Sequence, residues 1–508
     1  MQAGVEATAV FERLAGRRGC LFLDSAVLDA TAAPEQPTAS AAGGGPGRAT
    51  PRLGRHSFVA FDPILSLEVV SRGDGRDAER VREAFARLRS LLADLQCPTI
   101  PALPAFQGGV AGLISYDCGL LMLGLPAAAE AGGVPLVSLH AYDVVCGFDH
   151  DTGRGWIVSQ GVPATDPVAR RTRARERLEA FVAALDAADA GPPPTPPANA
   201  CVPPAAGHVL PGHAIPGRGE IVSTQSQATY LEMVRTGIEL VRAGDIFQVN
   251  LAQQLTLAAA IDPLELYRRG RALNPAPFAA WFAAGPATIV SMSPERLLKV
   301  ERGIVRMHPI KGTRRMLASP EADLYAGEEL EASEKDRAEN VMIVDLVRND
   351  LSRVCTPESV HVESLCRLER YRYVQHLVSI VAGRLRPGLT PLDALAAALP
   401  GGSVTGAPKR RACEIIAAEE GFSRGAYCGS LGYLGFDGSA DWNILIRTFV
   451  VGPDSIRFAV GGGITARSDP AAEYAETLHK AEGMLRVLES FAADAAAAGP
   501  PDAAEVRP

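Results

Sequence analysis

Apolar and polar positions alternate over short runs through the first third of the chain. CLFLDSA and SFVAFDP read as strands, as do GGVAGLISYD and AYDVVCGFDH, the last ended by the turn-prone DHDTGRG. Between them, residues 76–95 carry apolar side chains at helical spacing and predict a helix. A second helix is expected to open at Ser223 and to close near Gly244. Farther on, ATIVSMSPERLLKVERGIVRMHPI predicts strands joined by a tight ERG turn. CGSLGYLGF, NILIRTFVV and SIRFAV, linked by DG and GPDS turns, predict a local antiparallel meander. Strands on short turns with separate helices indicate an α+β, antiparallel architecture.

At 508 residues the chain suits two domains or one large composite domain. Two stretches rich in proline, alanine and glycine, residues 31–55 and 187–218, lack the apolar surface to fold alone. They suggest an N-terminal domain over 1–186, a linker over 187–222, a motif-dense domain over 223–490 and a disordered tail over 491–508. The net charge of −8 argues against a nucleic-acid partner, since no basic excess is left to neutralise phosphates. Nine cysteines, with no CxxC pair among them, suit reduced thiols and a cytoplasmic location. The N-terminus makes a poor secretory signal, and Pro126, Glu130 and Pro135 interrupt the apolar stretch Leu120–Val137, so no membrane span is expected.

Four places carry chemistry. In SEKDRAENVMIVDLVRND, residues 333–350, an apolar run predicts a buried helix with Asp336 and Glu339 three apart on one face. Glu473 and Glu476 repeat that spacing on a later helix, with Lys480 one turn on. Two helices that each present a carboxylate pair to a common point could hold Mg²⁺ through one or two carboxylates plus waters and substrate oxygens. Taken singly, each pair reads as a solvated face with local ion pairs, such as Glu476 with Lys480. In PIKGT, Lys311 sits between a strand end and a glycine. There it is either an exposed turn lysine or, if desolvated, a nucleophile. Residues 400–416, PGGSVTGAPKRRACEII, combine glycines with a helix start at APK whose amides could bind an anion. In VGGGITARSDP, three glycines after a strand suit amide donation to a carboxylate.

The order of these sites, together with DIFQVNLAQ, SPER, YVQHLVS, YCGSLGYLGF and IRT, resembles the chorismate-utilising enzymes, specifically the large subunits of aminodeoxychorismate synthases. The resemblance runs from about Ser223 to Leu485 and more weakly back through FVAFDP. It implies antiparallel sheets packed as a sandwich with helices outside. It also implies Mg²⁺ on Glu339 and Glu476, with Asp336 and Glu473 holding metal-bound waters. Glu295 would protonate the leaving hydroxyl, and Arg447 with the amides of Gly461, Gly462 and Gly463 would clamp the side-chain carboxylate. Tyr427, His376, Ser403 and Lys480 would line the pocket. Gln248 stands where water-using members carry a lysine base, so ammonia is the expected nucleophile. Lys311 distinguishes the aminodeoxychorismate synthases from anthranilate synthases, which usually have a small residue there, and would attack C2 of chorismate.

The resemblance further implies a separate glutamine amidotransferase subunit as the ammonia source, and a product destined for p-aminobenzoate and folate. Anthranilate synthase component I is the nearest rival reading. A regulatory homologue without catalysis is the rival from outside enzymology. Ser25, in FLDSA, resembles the place where family members hold an amino acid such as tryptophan.

Overall fold

A computed structural model describes residues 5–26, 54–127, 133–187, 212–215, 217–315, 319–370 and 374–498. Most of the two segments expected to resist folding alone, and the last ten residues, lie outside them.

Two antiparallel sheets stack face to face. The larger has twelve strands, in the order Arg154–Ser159, Val144–Asp149, His56–Ala60, Leu21–Asp24, Phe278–Ala284, Ala287–Ser293, Thr448–Val451, Ile456–Ile464, Gln248–Leu257, Val222–Ser223 and His213–Ala214. The short strand Gly406–Ala407 pairs beside Gln248–Val249. The second sheet has ten strands. Its order is Ile310–Arg315, Val374–Arg384, Ile304–Met307, Arg296–Glu301, Ala440–Asn443, Ser430–Gly435, Gly109–Ile114, Val137–Tyr142 and Leu65–Val69, with His361–Arg370 along the other side of Val374–Arg384.

The two-residue period of a strand sends neighbouring side chains to opposite faces, and that divides the core into layers. Leu21, Ala280, Phe282 and Ile289 face inward against Leu113, Leu431 and Tyr433 of the other sheet. Phe22, Ala279, Trp281 and Val290 face the other way, onto the helices Ala7–Leu14, Pro263–Leu273 and Pro470–Ala498. The outer face of the ten-stranded sheet is covered by Asp77–Asp94, Tyr116–Met122, Glu334–Ser352 and Pro391–Ala398. The expected sandwich with helices outside is therefore the observed fold. No helix among the described residues is long and apolar enough to cross a membrane.

Several local expectations change. Residues 1–186 and 223–490 are not separate cores, because each contributes strands to both sheets. Leu21–Asp24 pairs with Phe278–Ala284, and Gly109–Ile114 pairs with Ser430–Gly435. The helix expected from Ser223 begins at Gln227, where the Ser226 hydroxyl accepts from Thr229 N–H, while Ser223 belongs to a short strand. The anticipated meander splits. Ser430–Gly435 and Ala440–Asn443 form a hairpin in the ten-stranded sheet, and Thr448–Val451 and Ile456–Ile464 form one in the other. The chain crosses between sheets at residues 444–447. The tail is ordered to Ala498 as helix, because Phe491 is buried against the core under the Arg269 guanidinium.

Candidate active site

The crossing at residues 444–447 leaves a gap in the larger sheet. Thr448–Val451 pairs with its neighbour only at Ile456 and Arg457, so the rest of Ile456–Ile464 has one free edge. Opposite the glycines, Ala252 N–H donates to Glu420 and Asn250 N–H to the Thr405 carbonyl. Gly461 and Gly463 are thus the non-hydrogen-bonded partners in this ladder, and their backbone groups point to the free edge. Lys480 Nζ donates to the Gly461 carbonyl there at 3.0 Å. The three glycines lie inside a strand, not after one. A Cβ at Gly462 would come within 2.9 Å of Glu473 Oε2, and one at Gly463 within 2.2 Å of Gln248 Nε2, so only glycine admits these polar groups to the strand surface.

Two helices bring the carboxylates. Glu334–Ser352 starts on the Ser333 cap and buries Ile343, Val344 and Val347 beneath the ten-stranded sheet. Glu339 thereby faces the interior, where burial pushes its carboxyl up against the opposing charge of Lys311 and Lys335. Pro470–Ala498 carries the second pair. Glu473 is 5% exposed and is pushed up by burial, against a Ser468 hydrogen bond and with help from the Glu476 charge. Burial opposes ionisation of Glu476 as well, but Lys480, 2.7 Å away, together with Lys335 and Lys311, brings it below the usual range. The local ion pair weighed from sequence is therefore present without excluding the convergent arrangement. Glu339 and Glu476 act electrostatically on each other from different helices. Asp336 lies beside Gly312 and 3.6 Å from the Arg314 guanidinium.

Among the described residues no group of three or more His, Cys, Asp or Glu side chains is spaced to hold a metal ion by itself. Two facing carboxylates with water and substrate oxygens completing the shell is the arrangement Mg²⁺ favours, so the donor set fits that ion. Lys335, which the sequence reading passed over, acts on Glu339, Glu473 and Glu476 alike. Its neighbours in SEKDRAEN are the only sequence hint of this.

Lys311 and Glu295 meet at the loop between residues 400 and 407. Lys311 lies in the strand Ile310–Arg315, at a register shift next to Gly312, whose φ of +72° suits glycine. Its amine donates to the Ser403 carbonyl at 3.1 Å, and the Ser403 hydroxyl donates to Glu295 Oε1 at 2.6 Å. Glu295 is 6% exposed, and burial pushes its carboxyl up against the pull of Ser403, Lys311 and the Ile310 amide. Burial pushes the Lys311 ammonium down, opposed first by Glu339 and then by Glu295. Both shifts run toward the neutral forms, the Glu295 carboxyl upward and the Lys311 ammonium downward. As a whole residue Lys311 is half-buried.

Of the remaining expected residues, His376 lies on the strand paired with that of Lys311, and Ser25 lies in a different part of the fold. His376, 3% exposed, is bonded to the Gly312 backbone. Burial and the Arg447 charge push it down to about 4, so it is neutral near pH 7. Arg447 stands at the sheet crossing with φ of +51°, its carbonyl accepting from Met292 N–H. Gln248 is fully buried with no hydrogen-bond partner at either amide atom. Tyr427 is buried beneath the Arg424 guanidinium, and the thiol of its neighbour Cys428 feels the Glu295 charge. The start of the helix Lys409–Glu419 does not offer an open anion site, because Lys409 is itself buried and paired with Asp350. Ser25 belongs to a different cluster. Its hydroxyl donates to the His56 carbonyl at 2.7 Å and its amide to the Ser57 hydroxyl at 2.9 Å.

Residues 49–486 match the family model of chorismate binding enzymes, well beyond the start at Ser223 where the strongest motifs begin. Anthranilate synthase component 1 of Streptomyces coelicolor is 40% identical over 442 residues, covering 86% of this chain and 81% of that protein. Aminodeoxychorismate synthase component 1 of Klebsiella aerogenes is 39% identical over 448 residues, covering 86% and 92%. Among solved structures, anthranilate synthase component I from Streptococcus pneumoniae superposes with a TM-score of 0.66 at 28% identity, covering 88% of this chain and 95% of that one.

Proposed function

Because the chain belongs to the chorismate-binding enzyme family, we propose that it aminates chorismate at C4 to give 4-amino-4-deoxychorismate, with Lys311 as the nucleophile. The observation that carries this reading is the Lys311–Ser403–Glu295 chain, in which a desolvated amine and a buried carboxyl are held by one residue. The Lys311 lone pair forms a bond to C2, the diene electrons shift, and the C4–O bond breaks. The departing hydroxyl takes the Glu295 proton and leaves as water. Ammonia then attacks C4, the electrons shift back, and the C2–N bond breaks to restore the amine. One difficult substitution becomes two easier ones.

Mg²⁺ on Glu339 and Glu476 would supply positive charge for the ring carboxylate. Arg447 suits the side-chain carboxylate, for which its planar guanidinium offers two parallel donors, and the free-edge amides of Gly461 and Gly463 would add to that clamp. Gln248 offers a neutral amide where a lysine base would activate water, which supports ammonia as the nucleophile. A glutamine amidotransferase subunit would supply that ammonia, and a separate lyase would complete p-aminobenzoate for folate. The names of two relatives, each a component 1, are in keeping with a partner. Ser25 and its surroundings are proposed as an amino-acid pocket.

Anthranilate synthesis is the second reading, favoured by the 40% identity to the Streptomyces coelicolor protein. Purified chain with chorismate, Mg²⁺ and ammonium, followed by an aminodeoxychorismate lyase, separates the two. The expected product converts to p-aminobenzoate. Fluorescent anthranilate would transfer the chain to the other branch.

A further inference from the structure

The loop that carries Ser403 is closed and anchored by one buried ammonium. Lys409 Nζ donates to Asp350 Oδ2 at 2.8 Å and to the Ala398 carbonyl at 3.1 Å. Ala398 ends the helix before the loop and Lys409 begins the helix after it, so the ammonium ties the two ends of the loop together. Asp350 is on the helix Glu334–Ser352, three turns from Glu339 and on the same stripe, about 16 Å along the axis. Leu346 lies on that stripe between them. A Cβ at Gly402 would come within 2.6 Å of Leu346 Cδ2, so the loop backbone rests directly on the helix. Both charged side chains are nearly inaccessible, at 3% for Asp350 and 7% for Lys409.

Burying such a pair is expensive, and apolar residues of like volume commonly serve stability as well or better. What an ion pair adds is a fixed length and direction. We propose that Asp350 and Lys409 are positioning residues, which set the height of the Ser403 loop along the helix that carries Asp336 and Glu339. Ser403 holds Lys311 with its carbonyl and Glu295 with its hydroxyl. The pair therefore places the nucleophile and the acid relative to the carboxylates on the helix. This rests on the reading of Lys311, Glu295 and Glu339 given above.

The test is the full chain with Asp350→Leu and Lys409→Met combined, which removes the link without stranding a buried charge. Two readouts are taken beside a thermal melt. One is steady-state chorismate consumption with Mg²⁺ and ammonium. The other is the rate at which a small acylating reagent labels Lys311, followed by peptide mass spectrometry and independent of turnover. The expected result is a melting temperature close to that of the unaltered chain, a KM for chorismate within about threefold, and a kcat lower by about 10- to 100-fold. The Lys311 labelling rate should change as well. If the double variant does not fold, Asp350→Asn combined with Lys409→Gln serves, an uncharged pair that can still hydrogen-bond and strands no charge. Its kcat is expected to fall by about threefold, the charged bond being roughly twice as strong as the neutral one. A folded variant with kcat and labelling both unchanged overturns the proposal and leaves the pair a stabilising contact only. If the unaltered chain yields anthranilate or no product, the functional reading fails, and the labelling comparison still decides whether the pair positions Lys311.

Discussion

Two clusters of buried polar groups, the one around Asp24 and the one around Lys311, follow opposite rules. Asp24 accepts from the Ser57 hydroxyl, the Tyr267 hydroxyl and the Arg271 guanidinium, all at 2.7–2.9 Å. Ser57 also meets His150 at 2.8 Å, and Ser25 is bonded through both amide and hydroxyl. Around Lys311, by contrast, carboxylates on different helices repel one another, and beside Gly463 the side-chain amide of buried Gln248 has no hydrogen-bond partner. A buried polar group without a hydrogen bond costs stability, and a protein keeps such groups where a ligand completes them. The Asp24 carboxylate has its hydrogen bonds within the fold, whatever the neighbouring Ser25 pocket holds, and the second cluster waits for something from outside.

The largest effect should come from the open cluster. Lys311→Ala is expected to lower chorismate turnover with ammonium by about a thousandfold or more, the scale seen when a nucleophile is removed. Its urea midpoint should barely move, because a desolvated amine contributes little to holding the fold. Turnover within tenfold of the unaltered chain would end the covalent role. In the complete cluster the balance reverses. Asp24→Asn removes the charge that faces Arg271 and replaces one of two acceptor oxygens by a donor, and should cost about 3 kcal/mol in urea unfolding. Equal stability would mean that the network is less closed than its geometry indicates. Smallest, and opposite in sign, is Gln248→Leu. No hydrogen bond is lost, and a buried amide is removed, so stability should rise by about 1 kcal/mol while amination falls. A drop in stability would show that Gln248 is satisfied within the protein after all.

The legible part of the molecule follows the same division. Strand alternation and turn residues foretold an antiparallel α+β fold, the family resemblance implied its sandwich form, and the hairpin at Arg302 and Gly303 forms where the ERG turn was expected. The acidic pairs and Lys311 were visible because spacing along one helix or strand is local. Which sheet each strand enters was not legible. The switch at residues 444–447 carries no turn signature and is fixed by partners far away, such as Ile444 N–H on the Glu295 carbonyl. Lys409 and Asp350 escaped for the same reason, since each alone is an ordinary charge near a helix end. The Gly461–Gly463 run was recognised as a backbone site but misplaced, because only the register against Gln248–Leu257 shows that it lies inside a strand.

The interleaving of the two halves in both sheets also governs how the chain must be made. Leu21 finds Phe282, and Ile114 finds Ser430, only after the ribosome has delivered about half and most of the sequence respectively. Contacts so distant along the chain slow folding, because loop closure must precede any stabilisation they give. Until then the N-terminal strands present unpaired edges to other nascent chains. The arrangement that frames the pocket thus leaves newly made protein dependent on whatever shields those edges while translation finishes.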